Sequence, residues 1–571
     1  MIRSEIATSR TEVVSERGVV SCGHIEEAEA GVRVLEGGGN AVDAVVAAAF
    51  TGHVVEPASC GLGGYGHMAL FLAQTRQLVS VDHYVRAPAA ARADMFEVDP
   101  SRPATYYGWP RVAGRRNEWG ATSVAVPGAV AGLCSAHERW GRRPLAQVLD
   151  PAIEAAERGV RVGWDLVLAI ARRLEEIQAL PNAAALLLRE GRPPKLPDDG
   201  DLPDAEERID LSRLAETLRE IARRGAAGFY NGWVAEAIAR EINAGGGILT
   251  RDDLEWYQPR IGVEPGAWYR GIRYSTASDP VGYEALNILG CFELAGYRPD
   301  SSEYRHLMAE AMGCAFADSM HHYGDRDLGD SPVDGLASPA FAAARAATIR
   351  LDRAAPRPIV PGDPWPYERR PPVAEAATRP SASRLSGTSQ MVAADAEGNV
   401  AALITSLSAA FGSLVLVPEA GFFLNNAMCN FDPRPDRANC IAPGKMPIFA
   451  VPAIAAERDG VGVFGAGGGG GYRITSGVLH ALVNHFDFGM SVQQAVDGPR
   501  VHCQGEETFV DSRIPVAVRD RLRALGHVVV QQDEVPAPIN FSRVSAVARD
   551  PATGALSAGS SPAWNTAAAG L

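Results

Sequence analysis

The sequence predicts an α+β fold in which helices pack on antiparallel sheet. Residues 127–245 read as mostly helical. From residue 388 onward the period shortens to that of strands, and strand–turn segments follow one another. Between these regimes, residues 351–387 hold eight prolines and many Arg and Ala. That composition forms no regular packed element and reads as an exposed linker.

Taken in order, residues 18–21 form a short strand, and residues 24–35 have helical periodicity. That helix stops at Gly37-Gly38-Gly39-Asn40, a C-cap signal. Residues 41–50 are almost wholly apolar, so their helix is expected to be buried on most sides, and Glu56-Pro57 breaks it. The glycine loop 61–66 leads into a strand at 68–72. Helices are expected at 128–140, 145–158, 211–224 and 233–243, with Thr250 as the N-cap of another and a strand at 271–275. Beyond the linker, 388–394 and 400–407 make a hairpin over Asp395–Asn399, with Gly398 in the turn. Further strands are expected at 421–424, 449–454, 461–464, 528–530 and 545–548, and helices at 474–486 and 492–497. No internal repeat is visible.

The chain has 571 residues, 46% of them hydrophobic, which is ample for a large core. A net charge of −14 repels phosphate backbones, so nucleic acid is not an expected partner. No stretch offers the roughly 18 uncharged apolar residues of a membrane span. Residues 1–16 are polar and lack the apolar core of a secretory signal, so a cytoplasmic location is expected. The eight cysteines form no CxxC pair and no His/Cys cluster with zinc spacing. Most of them read as buried thiols, which suits a reducing compartment. Asp318, His322 and Asp325 have the spacing of one helix face and are expected to be a solvated polar face rather than metal ligands. His480, His485 and the His321-His322 pair read as packing or surface residues. No metal or organic cofactor is expected.

The chemistry is expected at Gly387-Thr388-Ser389, where the linker meets the first strand. A threonine at the start of a strand is ordinarily structural. If the backbone is cut before it, however, Thr388 gains a free α-amine beside its hydroxyl. Such an amine titrates near about 7.7–8.0. It can take the hydroxyl proton and return it to a leaving amine, so one residue supplies nucleophile and base. A second feature is the run Gly465-Ala466-Gly467-Gly468-Gly469-Gly470-Gly471-Tyr472-Arg473, between a strand and a helix. Glycines let backbone amides approach a ligand closely, and amides at a helix start favour negative charge. Each donor aimed at an oxyanion contributes on the order of 2.7–4 kcal/mol. The same run satisfies GxGxxG at Gly465, Gly467 and Gly470, the pattern of a dinucleotide site. Against that, the helix runs into Phe486-Asp487-Phe488-Gly489-Met490 rather than into a second strand ending in an acidic residue. A tight strand–helix turn is the plain structural alternative.

At these residues the sequence resembles the γ-glutamyltranspeptidase family of N-terminal-nucleophile hydrolases. The resemblance covers nearly the whole chain. Its first part includes Gly38-Gly39-Asn40-Ala41-Val42-Asp43-Ala44, Val54-Val55-Glu56-Pro57 and Gly61-Leu62-Gly63-Gly64. Its second includes Thr388, Gly398-Asn399, Phe411-Gly412, Leu424-Asn425-Asn426, Gly444-Lys445, the glycine run and Gly498-Pro499-Arg500. The resemblance implies a four-layer αββα sandwich built by two subunits of one self-cleaved chain, 1–387 and 388–571. It further implies cleavage after Gly387, Thr388 as nucleophile, Ser406 as the hydroxyl that orients it, and Gly470 and Gly471 as the oxyanion-hole pair.

The departures from the family pattern bear on substrate. Tyr84 stands where the family's arginine binds a substrate carboxylate, and Arg86 lies two positions on. Asn430 replaces an acidic residue, Ala427 a glutamine and Ser408 an asparagine. Phe449 and Ala450 replace two serines, and residues 431–445 are too short for the lid of some members. Tyr84, Arg86, Ser408, Asn430 and Phe449 are therefore the candidate substrate-binding residues, in a more open and apolar pocket. The implied activity is amide hydrolysis or acyl transfer through a threonyl acyl-enzyme, on a small-molecule amide other than glutathione. True γ-glutamyl transfer or glutathione hydrolysis is the alternative, and an uncleaved binding protein a further one. The two subunits would be each other's partners, with assembly into oligomers of such pairs left open.

Overall fold

The structure, a computed structural model, describes residues 9–103, 109–196, 207–328, 331–369, 387–448, 451–534, 540–562 and 564–571. Two seven-stranded sheets form its centre. In chain order their strands are β1 (Val13–Ser15), β2 (Gly18–Cys22), β3 (Tyr65–Leu72), β4 (Gln77–His83), β5 (Arg260–Glu264), β6 (Ala267–Tyr269) and β7 (Ile272–Ser275). There follow β8 (Gly387–Asp395), β9 (Val400–Ser408), β10 (Ile454–Arg458), β11 (Val461–Gly469), β12 (Arg543–Arg549), β13 (Leu556–Ser560) and β14 (Ala567–Gly570). One sheet is ordered β14-β2-β8-β9-β3-β4-β5 and the other β1-β13-β12-β11-β10-β7-β6. The pairings within both are antiparallel.

Helices α1 (Ile25–Glu36) and α2 (Ala41–Val55) cover the outer face of the first sheet. Helices α3 (Pro280–Gly290), α4 (Ser302–His322) and α5 (Arg473–Phe486) lie outside the second. Strand alternation separates the two cores. Met391 and Ala393 of β8 face the helices, while Val392 and Ala394 face the second sheet. The result is the expected αββα sandwich.

Several local expectations are refined. Asn40 is not a C-cap. Gly37 closes α1, and Asn40 opens α2 by accepting from the amides of Val42 and Asp43. The 395–399 hairpin is as expected, with the Asp395 carboxylate accepting from the amides of Glu397 and Asn399. The strand expected at 421–424 pairs only over Phe422–Phe423. Phe449 and Ala450 lie outside the described residues, and that strand begins at Ile454. Thr250 caps its helix in a capping box with Asp253.

The glycine run is mostly strand. β11 continues to Gly469 because β8 and β9 pass close beneath it. A Cβ on Gly465 would stand 2.7 Å from a Val400 methyl and 3.0 Å from one of Val392. The polar face expected at Asp318, His322 and Asp325 is not solvated. Asp318 is buried against Arg345 at 2.7 Å, α4 ends at His322, and Asp325 lies in the following loop. Residues 351–369 of the linker are pinned to the body, for example by Arg357 on buried Glu310 at 2.5 Å. The remainder, 370–386, lies outside the described residues.

Candidate active site

Pairing of β8 with β9 places Thr388 opposite Ser406, with a register irregularity between Gly387 and Thr388. Ser406 Oγ donates to the Gly387 carbonyl at 2.6 Å and accepts from the Ser408 amide at 2.8 Å. Its single proton is thereby committed, so the 3.1 Å contact between Thr388 Oγ1 and Ser406 Oγ has Thr388 as donor. The pattern leaves Thr388 lone pairs available beside a polarised peptide carbonyl. Gly387 has no room for a side chain, since a Cβ would meet the Ala409 carbonyl oxygen at 2.4 Å and that of Ala58 at 2.9 Å.

Behind the hydroxyl pair lies a buried network that sequence reasoning missed. Arg543 Nη2 donates to the Thr388 carbonyl at 2.5 Å and to Ser59 Oγ at 3.0 Å, and Nη1 donates to Glu56 Oε1 at 2.7 Å. Glu56 also accepts from the Ser389 hydroxyl. Burial works against the Glu56 charge, but Arg543 and hydrogen bonds from Ser389 and Glu27 bring its carboxyl below the usual range. Burial and then the Glu56 charge push neighbouring Glu27 well above that range. The one signal in the sequence is an arginine at the start of a late, largely buried strand, with an acid just past the end of a mostly apolar helix.

Ser408 ends β9 in the left-handed region at φ 81°. Its Oγ donates to Asn430 Oδ1 at 3.1 Å. Asn430 Nδ2 donates to Tyr84 at 2.6 Å and to Tyr65 at 3.2 Å, and Tyr84 donates to the Ile448 carbonyl at 3.3 Å. The Tyr65 hydroxyl stands beside Ser406 and Ser408, and burial raises its pKa. The two rings meet edge to face at 4.6 Å. Tyr84, Ser408 and Asn430 thus come together around Tyr65, which was not foreseen. Arg86 does not join them, because its guanidinium pairs with buried Asp325 at 3.1 Å. Phe449 lies outside the described residues.

Gly470 and Gly471 follow β11 at φ 141° and 64°. The preceding Gly469 backs onto the nucleophile strand, where a Cβ would stand 2.6 Å from the Thr388 carbonyl oxygen. Gly469, immediately before the two oxyanion candidates, is therefore the glycine of the run that packs against Thr388. The dinucleotide pattern is coincidental, since β11 pairs antiparallel on both sides and opens no βαβ unit.

His306, Glu310 and His527 bring three ligand-type atoms within 4.8 Å of one another. These groups already satisfy each other. His306 Nδ1 and His527 Nε2 share a hydrogen bond of 2.7 Å, His306 Nε2 reaches the Arg350 carbonyl, and buried Arg357 neutralises Glu310. A cation there would meet the guanidinium charge.

The profile of the Gamma-glutamyltranspeptidase family matches residues 28–571. The chain is 30% identical over 566 residues to a glutathione hydrolase proenzyme of Bacillus subtilis (strain 168), spanning 98% of this chain and 92% of that one. It is 34% identical over 532 residues to the acylase ACY 1 proenzyme of Pseudomonas sp. (strain SE83), spanning 92% and 89%. A crystal structure of cephalosporin acylase from Bacillus halodurans aligns with a TM-score of 0.84 at 27% identity, over 100% of this chain and 98% of that one. Sandwich, near full-length profile and proenzyme relatives agree, and the chain belongs to the γ-glutamyltranspeptidase family of hydrolases and transferases.

Proposed function

We propose that the chain cuts itself between Gly387 and Thr388 and then uses Thr388 to hydrolyse or transfer an acyl group from a small-molecule amide. The observation that carries this is the Thr388–Ser406–Gly387 relay in the uncut chain. Thr388 Oγ1 attacks the Gly387 carbonyl carbon while Ser406 holds the oxygen. The C–N bond breaks, the proton from Oγ1 passes to the Thr388 nitrogen, and an ester links Gly387 to Oγ1. Water hydrolyses that ester, giving chains 1–387 and 388–571. The freed α-amine then serves as base for Oγ1 in the acyl transfer. The Gly470 and Gly471 amides are proposed to receive the oxyanion. We place this activity in the cytoplasm, which suits the eight cysteines standing as free thiols.

Tightness at Gly387 gives a direct check. Gly387→Ala is expected to push the scissile peptide off the Ala409 carbonyl and slow self-cleavage severely, read as retention of the full-length chain by intact mass. Cleavage at the unaltered rate would mean that the reacting peptide is held elsewhere.

The acyl group we favour lacks a charged amino-acid head. Hydroxyls and an amide surround Tyr65, and Arg86 is engaged by Asp325. Two acylase-named proteins among the similar ones point the same way. A γ-glutamyl specificity is the second reading, favoured by the glutathione hydrolase proenzyme. One hydrogen bond to a charged group is worth about 1.5–3 kcal/mol, or roughly 10–100-fold. The cleaved enzyme is therefore expected to show at least tenfold higher kcat/KM on neutral acyl p-nitroanilides than on γ-glutamyl p-nitroanilide (about 1.4 kcal/mol). The reverse ranking would establish the γ-glutamyl reading.

A further inference from the structure

We propose that Arg543, braced by Glu56, is the positioning residue of Thr388 both before and after cleavage. This rests on the nucleophile reading above. Once the Gly387–Thr388 bond is broken, Thr388 becomes a chain end, and chain ends ordinarily fray. A nucleophile must instead stay within about 0.5 Å of its productive place. Hairpin pairing alone is a weak restraint, because register is already irregular between Gly387 and Thr388. Beside that pairing, the Arg543 guanidinium holds the backbone of Thr388, donating to its carbonyl oxygen at 2.5 Å.

The guanidinium is itself fixed on several sides. It is 2% exposed, Glu56 and Ser59 take its other hydrogen bonds, and its Cζ lies 5.7 Å from the Trp564 ring centroid. Gly469 leaves the space it occupies, since a Cβ there would stand 2.7 Å from Arg543 Nε. Glu56 holds the neighbouring residue too, through the Ser389 hydroxyl. The first two residues of the new chain are thus gripped by one buried ion pair. That pair joins the future subunits, with Glu56 and Ser59 on 1–387 and Arg543 on 388–571. Buried ion pairs are often replaceable by apolar groups without loss of stability, so stability alone does not explain it. Arg543 reaches only the carbonyl of Thr388, leaving the hydroxyl and α-amine to react. It acts through Thr388 and does not meet substrate.

The test compares full-length Arg543→Lys, Arg543→Gln and the double variant Glu56→Gln/Arg543→Gln. Self-cleavage is followed by intact mass, folding by thermal melting, and kcat and KM on whatever fraction is cut. Arg543→Gln is expected to slow self-cleavage by roughly 100-fold and to lower kcat with KM unchanged. Arg543→Lys keeps the charge without the fork and should fall between. Glu56→Gln/Arg543→Gln removes both charges, so it should melt near the unaltered protein yet cut as slowly as Arg543→Gln. A double variant that melts normally and cuts at the unaltered rate overturns the proposal, as does a variant whose loss is all in KM. If neither Gln variant folds, Arg543→Lys decides, and cleavage at the unaltered rate again overturns it. Failure of the nucleophile reading looks different, because Thr388→Ala would then cut like the unaltered chain.

Discussion

Thr388→Ala is expected to remain a single full-length chain with its turnover abolished. Without Oγ1 nothing attacks the Gly387 carbonyl, so the ester never forms and the α-amine is never freed. Loss of a nucleophile that is also its own base should cost about 10⁴-fold or more in rate. Folding should survive, since Thr388 contributes one small side chain at the end of β8. Thr388→Ser keeps the oxygen and, once cut, the amine, so it should still process and turn over at a reduced rate. Intact mass and amide turnover on the same preparations check both. Self-cleavage by Thr388→Ala would sink the assignment.

Ser406→Ala should have the next largest effect. Its Oγ carries three bonds, to Gly387, Ser408 and Thr388. Deleting it removes the donor to the scissile carbonyl and the acceptor of the Thr388 proton together. General acid–base assistance of this kind is worth about 10²–10⁴-fold. Self-cleavage should slow within that range, and the cleaved fraction should show lower kcat. A buried Ser408 amide left without its acceptor should cost about 1–3 kcal/mol in stability. Ser406→Thr returns the hydroxyl and should recover most of the rate. A normal cleavage rate for Ser406→Ala, or no recovery with Ser406→Thr, would show that this hydroxyl is not part of the relay.

Thr388 and Ser406 are named in the sequence through the family resemblance, and the structure sets them opposite each other in one local hairpin with Gly398 in its turn. The change from helical to strand period on either side of residue 387 placed that hairpin at the end of the linker. Arg543 and Glu56, by contrast, were illegible. They meet across 487 residues, and only the packed sandwich closes that distance. The strand expected at 461–464 runs on to Gly469, an extension the sequence hides because a strand without side chains has no period to see. Its true cause, the close approach of β8 and β9, lies on other segments. Asp318 looked solvated because its partner Arg345 sits on a different helix. Tyr84 and Asn430 were noticed as substitutions, but their bond to each other, and Tyr65 beside them, required the fold.

The most direct test of the account is the intact mass and N-terminal sequence of every chain in the purified protein after prolonged incubation. The account predicts two chains, 1–387 and 388–571, the second beginning Thr-Ser-Gln-Met. A single uncut chain of 571 residues, or a break at any other bond, would contradict it and turn attention to a binding role for the intact sandwich.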